Sequence, residues 1–153
     1  MTRRIERVSR GEAGPISQLH RACFPEDPWD SEAIEQIMRM PGFFGRIGWA
    51  NNDPVGFALA LVLGEEAEFV SLGVLEDHRR RGMGSALLEA MCGEARLRRA
   101  DQVVLEVALD NQAARALYVG HGFTIVGHRP NYYRRAERLV DALILRLRLP
   151  TAI

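Results

Sequence analysis

The sequence predicts an α/β (mixed α+β) fold, a central, mostly antiparallel sheet of about seven strands flanked by four helices. Short runs that alternate apolar and polar residues recur along the chain, with four segments of helical period between them. Turn residues with defined backbone preferences separate the two kinds of segment. At 153 residues, with 47% hydrophobic and 26% charged residues, the chain is expected to fold as one domain over 1–153 around a single core.

Taken in order, Arg4–Val8 alternates as a first strand. Gly14-Pro15 opens a helix whose apolar residues Ile16, Leu19 and Cys23 form one stripe. Pro25 and Pro28 end it, and Asp30 or Ser31 caps a second helix carrying Ile34, Ile37 and Met38 as far as Pro41. Phe43–Ala50 and Val55–Leu63 read as an antiparallel hairpin across the turn Asn51-Asn52-Asp53-Pro54. A strand over Glu68–Val74 precedes a long helix from Gly82, with Met83, Ala86, Leu87, Ala90 and Met91 on one face. Gln102–Val107 is the next strand, and Asn111 caps a helix through Ala114, Leu117 and Tyr118 that Gly120–Gly122 ends. Phe123–Arg129 and Val140–Leu149 complete the sheet, leaving Tyr132 and Tyr133 in the loop between them.

Charge narrows the function. Twenty basic residues balance twenty acidic ones, so the one-sign field of a non-specific nucleic-acid binder is absent. The two cysteines, Cys23 and Cys92, have neither disulfide nor zinc spacing, and the four histidines are dispersed, so no metal is expected. The polar stretch after Arg3-Arg4 is not a secretory apolar region. The longest apolar run, Val55 to Gly64, falls short of the ~20 residues of a membrane helix. A cytoplasmic protein that engages neither nucleic acid nor membrane is expected.

The strongest chemical signal is Arg79-Arg80-Arg81-Gly82-Met83-Gly84-Ser85 between a strand and an amphipathic helix. Glycines let successive backbone N–H groups close on phosphate oxygens, and the helix N-terminus adds partial positive charge. The lysine of a Walker loop is missing. The motif opens the third helix rather than the first βα unit of a dinucleotide fold.

From Glu68 through Asp141 the sequence resembles the GNAT superfamily of N-acetyltransferases. The likeness rests on Val74, Arg79-x-x-Gly82-x-Gly84, Leu105-Glu106-Val107, Asn111, Ala114, Leu117-Tyr118, Gly122-Phe123, Arg129-Pro130-Asn131-Tyr132-Tyr133 and Asp141-Ala142-Leu143. Within the superfamily these segments resemble the RimI-type enzymes that acetylate the N-terminal alanine of a ribosomal protein.

The resemblance implies acetyl-coenzyme A as co-substrate, held by Leu72, Gly73, Val74, Arg79 to Ser85, Asn111 and Tyr118, with no metal. It implies Glu106 as general base, Tyr118 as general acid, backbone N–H groups around Gly73 and Val74 facing the developing oxyanion, and Tyr132 and Tyr133 touching the substrate. The implied partner is a protein or peptide N-terminus, a ribosomal protein among the candidates, and the expected state is a monomer or weak dimer. The residues alone leave structural readings open: Glu106 in an ion pair, Tyr118 in the core, Asn111 as a plain cap, the two tyrosines as packing. Cys92 reads as core, because direct attack by an amine needs no covalent intermediate. Glu65, Glu66 and Glu68 are expected to rim the amine entrance and attract a basic peptide.

Ala108 and Asp110 stand where these enzymes usually carry an arginine and a serine, and Val140 where an acidic residue is common. These departures bear on which amine is used. A small amine as substrate, or a non-catalytic acyl-coenzyme A binding module, are the alternative readings. A mere binder needs neither Glu106 nor Tyr118.

Overall fold

A computed structural model describes residues 2–151. Seven strands form one sheet in the order β1-β2-β3-β4-β5-β7-β6: β1 (Arg3–Arg7), β2 (Phe43–Ala50), β3 (Asp53–Leu63), β4 (Glu66–Val74), β5 (Gln102–Ala108), β6 (Thr124–Arg134) and β7 (Leu139–Arg148). Every neighbouring pair is antiparallel except β4 and β5. The helices are α1 (Ala13–Cys23), α2 (Ser31–Met38), α3 (Met83–Leu97) and α4 (Gln112–Gly120). A 3-10 turn over Glu76–His78, in the stretch read as polar connection, leads from β4 to the glycine loop.

The helices cover the sheet unequally, following the parity of the strands. Ala67, Phe69, Val103, Leu105, Leu143 and Leu145 point to one face and are buried with Leu87, Leu88 and Met91 of α3 and Tyr118 of α4. Leu59 and Phe57 of β3 and Ile47 of β2 point to the other face, under Ile16 and Leu19 of α1 and Ile34 of α2. Val104 and Glu106 of β5 and Ile144 and Arg146 of β7 share that second face and remain partly exposed. The α1–α2 face is therefore closed over β2 to β4 and open over β5, β7 and β6.

Asp30 is the cap of α2, its carboxylate accepting the Ala33 N–H at 2.8 Å. Gly48 and Gly56 lie under α3: a Cβ on Gly48 would collide with the Met83 side chain, and one on Gly56 would crowd Leu87 Cδ1 at 3.0 Å and touch Met83. Met83 is thus core, which seats the start of α3 against β2 and β3.

Candidate active site

The site begins where the one parallel pair comes apart. β4 and β5 are in register from Glu66 opposite Gln102 to Phe69 opposite Leu105, and beyond these residues they no longer pair. β4 continues beside β3, and β5 beside β7, so a wedge opens between Val70–Val74 and Glu106–Ala108. The Leu75 N–H donates to the Val55 carbonyl at 2.8 Å, which by the alternation of an antiparallel ladder turns Gly73 toward β3. The N–H groups of Leu72 and Val74 therefore face the wedge. Of Gly73 and Val74, it is Val74 that turns its N–H into the wedge. Gly73 instead leaves room, since a Cβ there would meet Cys23 Sγ at 2.9 Å and the Phe57 ring at 2.9 Å.

The glycine loop borders the wedge. Arg80 (φ 63°) and Gly82 (φ 86°) both adopt left-handed backbone, which curls the successive N–H groups of the loop into a concave nest. Gly82 is the N-cap of α3 and supplies no side-chain cap, and the first turn of α3 contains no acidic residue. Ala86 N–H is bonded to the Gly82 carbonyl at 3.0 Å, so the N–H groups of Met83, Gly84 and Ser85 are those left over at the helix start. A Cβ on Gly84 would lie 3.3 Å from Leu117 of α4 and 3.9 Å from Val74, so this glycine lets three elements converge.

Met83 contributes only its backbone, because its side chain is buried. Arg79, Arg80 and Arg81 are all exposed, and Arg79 Nε donates to the Val74 carbonyl at 2.9 Å. The Arg81 carbonyl accepts from Arg3 Nη1 at 3.1 Å, tying the loop to β1.

Glu106 stands on β5 at the mouth of the wedge, on the open face, with 27% of its side chain exposed. Its Oε1 lies 3.2 Å from Arg129 Nε. Asn111 caps α4, its side-chain oxygen accepting the Ala114 N–H at 3.2 Å, which leaves its amide nitrogen free. Tyr118, 6% exposed, packs against Phe123 with ring centroids 5.5 Å apart. Burial, with Tyr133 adding to it, pushes the Tyr118 phenol above its ordinary range and keeps it protonated.

Tyr133 joins the two. Burial and then the nearby Glu106 carboxylate push its phenol up to about 12, and it in turn acts on Tyr118. The Tyr132 phenol is also raised, by burial first and then by its hydrogen bond to Glu106, with Glu68 adding to the effect.

Tyr132 and Tyr133 are not in a loop as expected from sequence; they belong to β6, which runs on to Arg134. The register jumps from Arg129 opposite Ala142 to Tyr133 opposite Val140, so residues 130–132 bulge out. Asp141 pins the bulge. One of its oxygens accepts the N–H of Asn131 (φ 55°) at 2.8 Å, and the other pairs with His128 Nε2 at 2.8 Å.

The acidic trio separates. Glu66 accepts from Gln102 at 2.8 Å at the closed end of the wedge, and Glu65 lies in the turn before β4. Glu68, beside Val104, shares the open face with Glu106. The expected rim therefore reduces to this one carboxylate.

Asp110, a departure in sequence, receives Arg135 Nη2 at 3.1 Å and Arg138 Nη2 at 3.3 Å. Arg135 Nε also lies 3.6 Å from Glu26 and its guanidinium stacks on Tyr133. The β6–β7 turn, the β5–α4 connection and the α1–α2 connection are thus tied together above the site. The sequence alone did not single out Glu26, marked Arg135 only as one of a basic group with Arg134 and Arg138 on a solvated face, and gave Arg129 no role; none of them falls in a spacing that marks chemistry. Burial and Glu89 push the Cys92 thiol up to about 11, which makes it inert. Among the described residues no group of His, Cys, Asp or Glu is arranged to hold a metal, and no helix is long and apolar enough to cross a membrane.

The profile of the Acetyltransferase (GNAT) family matches residues 14–123. The ribosomal protein bS18-alanine N-acetyltransferase of Escherichia coli K12 is 37% identical over 97 residues, a match covering 63% of this chain and 66%, just under two thirds, of that enzyme. The N-alpha-acetyltransferase RimI of Mycobacterium tuberculosis is 33% identical over 135 residues, covering 85% of this chain and 84% of the relative. The crystal structure of the ribosomal-protein-S18-alanine N-acetyltransferase from Escherichia coli superposes with a TM-score of 0.90 at 26% identity, over 99% of this chain and 96% of the other.

Proposed function

Because the chain belongs to the GNAT family of acetyltransferases, we propose that it transfers an acetyl group from acetyl-coenzyme A to the N-terminal α-amine of a protein. The observation that most supports this reading is the convergence at the mouth of the wedge, where Tyr133 lies within electrostatic reach of both Glu106 and Tyr118. The glycine loop borders the same opening.

The cradle fits the co-substrate. The loop and the first turn of α3 present N–H groups to a pyrophosphate, with Arg80 and Arg81 beside them and Asn111 free to donate from its amide. When bound, acetyl-coenzyme A supplies an activated thioester. Val74 N–H points into the wedge and offers a donor to the carbonyl oxygen on which charge develops. Glu106 accepts the proton that the ammonium must lose before its nitrogen can attack, directly or through water. An α-amine with a pKa near ~8 asks less of that base than a lysine near ~10.4. Tyr118, protonated and enclosed, gives its proton to the departing thiolate.

The peptide lies on the open face between the α1–α2 connection and the β6 bulge, with Tyr132 and Tyr133 beside its first residues and Glu68 favouring a basic chain. A ribosomal protein is the leading substrate, in keeping with the name of the Escherichia coli relative. The chain acts in the cytoplasm as a single domain, a monomer or weak dimer.

The test is an acetyl-transfer assay across N-terminal peptides and free amines. A basic peptide beginning with alanine is expected to show higher kcat/KM than lysine, spermidine or an aminoglycoside. Efficient use of a small amine with no turnover of any peptide would overturn the reading. For the cradle, Gly82→Val forces a branched residue into φ 86° and is expected to abolish acetyl-coenzyme A binding in calorimetry while the fold persists. Unaltered affinity would remove the loop from the site.

A further inference from the structure

The Glu106 carboxylate is already engaged. Among the described residues Arg129 is the one cation in ion-pair contact with it, Nε to Oε1 at 3.2 Å. The two partners are unequally held. The Arg129 side chain is 54% exposed against 27% for Glu106, and its guanidinium rests 5.4 Å from the centre of the Tyr132 ring.

The backbone beneath this arm is fixed, because Asp141 binds both His128 and the Asn131 N–H on either side of Arg129-Pro130. The root is pinned while the tip lies in solvent, with an aromatic surface to slide along. The other charged or titratable groups on this face are Tyr132 and Tyr133 of β6, Glu66 and Glu68 of β4, and Arg146 and Arg148 of β7. Glu26 of the α1–α2 connection is taken up by Arg135.

A substrate ammonium and a guanidinium are both cationic N–H donors, and both seek the same carboxylate oxygen. We propose that Arg129 is a built-in competitor of the substrate: in the peptide-free protein its guanidinium holds the place beside Glu106 that the peptide's α-ammonium takes. It swings onto Tyr132 as the amine arrives. The contact screens the base from stray small cations and raises the threshold for any amine that brings no further contacts. A peptide, which also engages the β6 bulge and Glu68, has binding energy to displace the arm; a free small amine has little. This inference rests on Glu106 receiving the amine, as proposed above.

Steady-state kinetics of Arg129→Gln and Arg129→Lys with a basic N-terminal peptide test it. An exposed pair is a weak contact, so Arg129→Gln is expected to lower the peptide KM at pH 7 by about two- to fivefold and to leave the acetyl-coenzyme A KM unchanged. Arg129→Lys keeps a cation and is expected to keep the wild-type peptide KM. The gain is expected to fade at pH 9, where an α-amine with a pKa of about 7.7–8.0 is uncharged and no longer competes as a cation. A peptide KM that rises or stays the same in Arg129→Gln at pH 7, or a gain undiminished at pH 9, would overturn the proposal. The acetyl-coenzyme A KM reports that each variant is folded. Normal turnover in Glu106→Gln would overturn the assignment of the base and this inference with it, whereas a Glu106-dependent enzyme indifferent to Arg129 would overturn this inference alone.

Discussion

Glu94 and Glu106 both lie against arginines, on opposite faces of the same sheet, and their surroundings divide them. Glu94, on α3, is 5% exposed, with Arg46 at 2.5 Å on one oxygen and Arg98 at 2.7 Å on the other. Arg98 in turn lies over the Phe44 ring. Glu106 has one arginine at 3.2 Å, on one oxygen, and that arginine is mostly in solvent. A carboxylate buried between two guanidinium groups is closed to a ligand and serves the fold. A partly exposed one beside a mostly solvated arginine is open to a ligand. Burial of the acceptor, more than the presence of an ion pair, separates the two here.

The largest effect expected from this contrast is on rate. Glu106→Gln is expected to lower turnover by roughly 10²–10⁴ while leaving the unfolding midpoint and acetyl-coenzyme A binding in place, and Tyr118→Phe to do the same if both act in proton transfer. Normal turnover of both variants in an assay limited by chemistry would erase the distinction drawn for Glu106.

Glu94→Gln should do the reverse. It leaves Arg46 and Arg98 without their counter-charge in a buried setting, and denaturant unfolding is expected to show a loss of about 3–5 kcal/mol with turnover per folded molecule unchanged.

The same carboxylate sets a pH dependence. Burial would raise its pKa, but the hydrogen bonds and charges of Arg46 and Arg98 outweigh it and hold Glu94 below the usual carboxylate value. A folded value below the unfolded one gives stability that is present above the unfolded pKa and is lost as pH falls through the folded one. From about pH 5 downward the wild type is therefore expected to lose stability more steeply than Glu94→Gln; parallel acid curves would contradict this.

The smallest effect belongs to Arg7, 3.9 Å from Glu94 but 73% exposed. Arg7→Ala is expected to change stability by no more than about 1 kcal/mol, and a larger loss would mean that exposure is the wrong criterion.

Much of β5 was legible before the structure. Val103, Leu105 and Val107 alternate with Val104 and Glu106, and that parity alone puts Glu106 on the face away from the α3 core. The glycine spacing before α3 likewise marked the turn that opens that helix, with Gly82 at φ 86°. The tyrosines were misplaced because Pro130 and Asn131 carry turn chemistry, which reads as a loop. In the fold, Asp141, ten residues away, absorbs both into a bulge and the strand resumes. The acidic trio was misjudged for a related reason: which end of β4 opens depends on its pairing with β5, more than thirty residues on, and no local pattern encodes it. Asp110 looked like a departure from the resemblance, and only the folded hairpin reveals Arg135 and Arg138 as its partners.

The parting of β4 from β5 also has a mechanical side. Four residue pairs, Glu66–Gln102 to Phe69–Leu105, with the Asp101 N–H on the Glu65 carbonyl at 2.7 Å, make the backbone seam between a half-sheet of β1 to β4 and one of β5, β7 and β6. Over the rest of the boundary the sheet edges face each other unbonded, so opening there breaks no ladder and the amides of Leu72 and Val74 lie ready for hydrogen exchange. A ligand seated in the gap bridges both halves at once, closing the seam from the other end. Under the proposed function, its binding energy adds to the stability of the whole molecule as RT ln(1 + [L]/Kd), which is greatest while the gap is filled.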